Sequence, residues 1–98
     1  MYSLARVNLQ KKRMSFRITP NMVINGKIDH IDIGNATHVI CGFCPQLREL
    51  PNWPNVKIVD CYRCTLLTKL PKWQNVEKVN CSDCSQMIEL PNWPNVKI

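Results

Sequence analysis

"VDCYRCTLLTKLPKWQNVEK", residues 59–78, is the middle one of three consecutive segments written on one frame. Residues 39–58 read "VICGFCPQLRELPNWPNVKI" and residues 79–98 read "VNCSDCSQMIELPNWPNVKI". Eight of the twenty positions are identical in all three segments, and a ninth is Leu or Met. A unit of this length cannot bury its own apolar face. Units must stack so that those faces leave water together, and equivalent positions then form ladders. The period therefore predicts a repeat solenoid before any single residue is considered.

Within each unit the strand signal is local. Val59 and Cys61 alternate with Asp60 and Tyr62, so the first pair points to one side of a short strand and the second to the other. The Pro residues of Leu70-Pro71-x-Trp73 and its equivalents remove backbone donors and favour extended or turn geometry. Few or no helices are expected, with an extended or turn-like outer side.

The spacing V-x-x-V-x-C-x-x-C resembles the leucine-rich repeat pattern. It is carried by Ala36, Val39, Cys41 and Cys44, then Val56, Val59, Cys61 and Cys64, then Val76, Val79, Cys81 and Cys84. The Leu-Pro-x-Trp-Pro half is similar to the "LPxLP" half of short repeats in bacterial effectors, and the cysteine-rich units resemble repeats of amoebal and giant-virus proteins. The resemblance implies short parallel β-strands on a concave face and a role in protein–protein interaction. Two departures bear on the subtype. Cys takes the last strand position, where Leu is usual, and the next apolar residue follows the second Cys by three places (Leu47, Leu67, Met87).

Outside the repeat, residues 1–13 read as a basic N-terminal tail and residues 14–35 as an N-terminal cap. Residues 36–98 hold the three repeats plus the start of a fourth strand. Asn25-Gly26 between apolar residues predicts a β-hairpin in the cap. Ile28, Ile31 and Ile33 have strand-type spacing and suggest a degenerate first coil. The net charge of +6 comes from the first 28 residues, which hold six basic residues and no acid. The remainder is neutral, so no nucleic-acid-binding face is implied. No apolar run reaches the ~18–20 residues of a membrane span, and no signal-peptide pattern is present. The expectation is a cytoplasmic, reducing setting without membrane association.

The six cysteines admit two readings. Cys41, Cys44, Cys61 and Cys64 have the spacing of a four-cysteine structural zinc site. Against this, there are three C-x-x-C pairs, the spacing is simply the repeat period, and Cys is among the residues most often buried. The favoured reading is core thiols, with no cofactor. His30 and His38 read as surface residues.

Catalysis is not expected. No phosphate-binding glycine loop, nucleophile elbow or recurrent acid pair occurs, and every Cys has repeat partners. What varies between units is the outward side of the strands and the turn after them: His38, Ile40, Gly42, Phe43; Ile58, Asp60, Tyr62, Arg63; Lys78, Asn80, Ser82, Asp83. Ten of these (all but Gly42 and Ser82) are the candidate binding face, with Phe43, Ile58, Tyr62 and Arg63 as its anchor cluster. Trp53, Trp73 and Trp93 are expected in the core, with indole N–H groups on backbone carbonyls. The leading function is a non-catalytic interaction module with an unknown protein partner. The alternatives are a small structural zinc protein or a truncated repeat remnant. Self-association through an uncapped C-terminal coil is a further expectation.

Overall fold

A computed structural model describes residues 14–96. The tail assigned to residues 1–13 lies outside the described residues. Four strands form one parallel sheet in sequence order: β1 (Ser15–Arg17), β2 (His38–Ile40), β3 (Ile58–Asp60) and β4 (Lys78–Asn80). A single 3-10 turn, Pro20–Met22, follows β1, and no α-helix occurs among the described residues.

The register follows the sequence period. Val39 pairs with Val59 and Val59 with Val79. Each of these Val residues is the inward residue of its three-residue strand, and its neighbours face solvent. A branched residue at the centre of a short pleated strand packs well on its equivalents.

The ladders run from unit to unit. Val39, Val59, Cys41, Cys61, Cys44, Cys64, Leu47, Leu67, Val56 and Val76 are fully buried. Trp53 and Trp73 stack at 6.1 Å with rings 8° from parallel, and Trp73 and Trp93 at 6.0 Å and 10°. The indole N–H of Trp73 donates to the Pro51 carbonyl at 2.9 Å, and that of Trp93 to the Pro71 carbonyl at 3.0 Å. The apolar rings thus stay in the core without a stranded donor. Asn75 and Asn95 make the same kind of step outside, donating to the carbonyls of Pro54 and Gln74.

The N-terminal part departs from the strand spacing read in it. Ile28, Ile31 and Ile33 form no strand; they lie in turns and extended segments. The strand that pairs with β2 is Ser15–Arg17, joined through Ser15–His38 and Phe16–Val39. Its offset from β2 is twenty-three residues, against twenty between the later strands. Ile18 consequently stands where the later units have their first Cys, and its N–H bonds the Ile40 carbonyl as that of Cys41 bonds Asp60. Three extra residues and the absence of Cys set this unit apart from the twenty-residue period. At Asn25-Gly26 the chain reverses between Ile24 and Lys27, which form one antiparallel bridge. Both turn residues have positive φ, 54° and 79°, as a two-residue hairpin turn demands. Gly26 is doubly required, because a Cβ there would lie 2.8 Å from the Arg48 side chain.

Candidate functional site

The turn after each strand builds the site. Phe43, Arg63 and Asp83 occupy equivalent positions and all adopt left-handed backbone, φ 59°, 57° and 58°. For Phe and Arg this conformation costs ~1–2 kcal/mol. It is held by cross-unit bonds: Phe43 N–H to the Tyr62 carbonyl at 3.0 Å and Arg63 N–H to the Ser82 carbonyl at 2.9 Å. The turn aims these side chains outward. Phe43 remains 50% exposed.

Side chains from successive turns meet in one row. The Phe43 and Tyr62 rings pack edge to face, with centroids 5.0 Å apart and planes at 83°. The Arg63 guanidinium lies 5.1 Å from the Phe43 ring centre, within cation–π range. Its Nε donates to Asp83 Oδ2 at 3.5 Å. Tyr62 rests across Gly42, where any Cβ would fall 2.3 Å from the ring. Gly42 therefore decides where Tyr62 can lie, a role that a list of outward positions does not disclose. The only trace of it in the sequence is that Gly stands where the next units have Tyr and Ser.

Below this row the strands present a second group. His38 Nε2 and Asp60 Oδ2 are 3.0 Å apart. A shallow groove of about 530 Å³ is lined by His38, Ile58, Asp60, Lys78 and Asn80, together with Val79 and Val96. The candidate residues thus divide into an aromatic–cationic row (Phe43, Tyr62, Arg63, Asp83) and a polar groove. Ile40 is half-buried and lines no part of that groove. Asn80 is turned to local work, accepting bonds from the Ser82 N–H and hydroxyl. His30 is exposed; His38 is half-buried on Asp60 rather than a free surface residue.

The cysteines face the other way. All six are free thiols; five are buried and Cys81 is partly exposed. The second Cys of each pair donates its thiol to the preceding unit: Cys64 to the Cys41 carbonyl at 3.0 Å and Cys84 to the Cys61 carbonyl at 3.1 Å. Cys44 reaches the Ile18 carbonyl at 3.7 Å. Burial, with the charges of Cys84 and its neighbours, pushes the Cys61 thiol up. The thiol contacts of Cys41 and Cys44 with Cys64 raise those two and make Cys64 the first of the three to ionise. No buried charged group accompanies them among the described residues, so a thiolate would lack a counterion and the carbonyl-bonded thiol is the ground state. Among the described residues no three His, Cys, Asp or Glu side chains are arranged to hold a metal ion, and no helix is long and apolar enough to cross a membrane.

Compared with known protein families, with characterised proteins and with solved structures, the chain matches none of them.

Proposed function

We propose that this chain is a leucine-rich-repeat-type solenoid whose strand face binds a protein partner, without catalysis and without a cofactor. The observation that carries the reading is the Phe43–Tyr62–Arg63 cluster. Aromatic and Arg side chains dominate binding hot spots. Here Phe43 and Arg63 stand exposed and Tyr62 half-buried, and all three are already ordered, by an edge-to-face contact, a cation–π contact and a glycine seat. A pre-ordered anchor loses less side-chain entropy on binding. The solenoid part is supported by the in-register parallel strands and by the Trp and Cys ladders. The core-thiol reading of the cysteines is supported by their bonds to carbonyls, and buried free thiols suit a reducing compartment.

The test is affinity capture under reductant with the wild-type chain, with Tyr62→Ala/Arg63→Ala, and with Lys72→Ala as an exposed control in the Leu-Pro-x-Trp half of its unit. A partner held by wild type and control but lost by the double variant is expected. The same partner set on all three baits refutes the strand-face assignment. Circular dichroism in chelator plus reductant tests the zinc alternative: an unchanged fold is expected, and unfolding on chelation would favour metal-driven folding.

A further inference from the structure

Arg63 is the pivot of the aromatic–cationic row. Its guanidinium is positioned by the Phe43 ring, 5.1 Å away, and by Asp83, whose Oδ2 accepts from Nε at 3.5 Å. Neither of its Nη nitrogens has an acceptor among the described residues. The Tyr62 hydroxyl, on the same row, makes no hydrogen bond there either. The two side chains of the Arg63–Asp83 pair are 57% and 69% exposed. A pair this long and this open to water holds its members weakly. Arg63 is thus fixed in place while most of its donors stay unused.

The charge around the row has the same sign. All seven acidic residues of the chain lie among the described residues, so the ion pairs they make are visible. Three occur: Lys27 with Glu49, His38 with Asp60, and Arg63 with Asp83. Arg17 on β1 and Lys78 on β4 are exposed and have no acidic side chain within ion-pair distance. The two carboxylates of the outward strand and turn positions, Asp60 and Asp83, are both already engaged. Lys57 and Glu77, just before β3 and β4, offset each other. What the strand face leaves unanswered is positive charge.

We propose that the segment bound on this face is an acidic peptide stretch of the partner, an inference that rests on the strand-face reading above. One Asp or Glu carboxylate of the partner takes the free Nη edge of Arg63, a charge-assisted bond for which a guanidinium is well shaped. The Tyr62 hydroxyl supplies a further donor. An apolar side chain beside that carboxylate packs on the exposed part of Phe43 and on the Tyr62 ring. Arg17 and Lys78 attract further acids of the same stretch and speed the encounter. A nucleic-acid backbone fits less well. It carries a phosphate at every step, and Asp60 and Asp83 stand in its way on the same face.

Selection from a random-peptide phage library on the full chain under reductant tests this. Peptides with Asp or Glu next to an aromatic or aliphatic residue are expected. A synthetic copy of a selected peptide should bind Arg63→Gln about tenfold more weakly than wild type, and its affinity should fall as salt is raised. Lys72→Gln, which removes an exposed charge outside the face, should leave the affinity unchanged. Near-UV circular dichroism of the stacked Trp residues checks that both variants keep the wild-type fold. Selected peptides without acids, yet lost by Tyr62→Ala/Arg63→Ala, would overturn the acidic partner and leave the strand-face reading standing. A library that yields no binder, or a peptide indifferent to Arg63→Gln, would do the same. Peptides held equally by the double variant would overturn both. A random single-stranded RNA that binds more tightly than every selected peptide would replace the acidic peptide with nucleic acid.

Discussion

Leu70 and Leu90 occupy one place in two units of the same frame, yet one is sealed and the other is half in water. The same holds for Cys61 against Cys81 and for Leu67 against Met87. Among the described residues the middle unit has a neighbouring unit on each side, and the unit of β4 has one on the β3 side. Burial in this molecule is thus a property of the neighbour and not of the residue. An identical side chain contributes ~1.5–3 kcal/mol when fully removed from water and much less when half-exposed. The units share a pattern without sharing a stability.

Substitutions made in pairs, one in the middle unit and one at the end, can break this comparison. The largest effect is expected for Trp73→Ala, which removes a fully buried ring stacked on both faces. It should cost ~3–5 kcal/mol by chemical denaturation. Trp93→Ala, stacked on Trp73 alone among the described aromatic residues, should cost clearly less. Equal losses would show that the ladder does not depend on neighbours. Next is Leu70→Ala, expected at ~2–5 kcal/mol, against Leu90→Ala, expected within ~0.5 kcal/mol because Leu90 is half-exposed. A chain as sensitive at Leu90 as at Leu70 would contradict this difference in exposure.

The third pair concerns pH. Burial raises the Cys61 thiol above its unfolded value. Its contribution to stability is therefore complete below the unfolded thiol range and is lost as pH climbs above it. Above ~pH 8.5 the unfolded chain releases a proton that the folded chain keeps, so each such thiol costs ~1.4 kcal/mol per pH unit. Denaturation midpoints measured at pH 7 and at more alkaline pH should fall accordingly. Cys61→Ala should flatten that slope by one thiol. Cys81→Ala should flatten it less, because burial is the chief cause of its upward shift and the residue is partly exposed. A slope unchanged by Cys61→Ala would mean that this thiol ionises as freely folded as unfolded.

The smallest effect is expected in the turns. Arg63→Gly relieves left-handed backbone worth ~1–2 kcal/mol. Glycine's larger unfolded-state entropy and the lost contact with Phe43 offset most of this. A net gain of about 0.5 kcal/mol is expected by thermal melting. Asp83→Gly should gain nothing, because Asp tolerates this conformation and Asp83 is exposed. A loss of stability in Arg63→Gly would show that the cluster with Phe43 outweighs the strain.

The repeat frame made the three later strands, their inward Val and Cys positions, the Trp ladder and the outward candidates legible in the sequence. Each of those features recurs at the same place in every unit, and stacking identical units leaves equivalent residues little choice of neighbour. The indole acceptors followed too, since a buried N–H must find a carbonyl and the Pro carbonyls lie one unit away.

What the tertiary structure alone decided are contacts between residues that are not equivalent. Tyr62 lies on Gly42 because that unit has no side chain at the position Tyr62 crosses. Ser15–Arg17 supplies the first strand because three extra residues let a chain without Cys or Leu-Pro still reach the edge of β2. Each second cysteine bonds the carbonyl one unit back because stacking brings that carbonyl to the thiol. Leu70 and Leu90 differ in burial because, among the described residues, the unit of β4 packs over the first and no further unit packs over the second. A period fixes which residues are alike, and only their placement in space fixes which unlike residues touch.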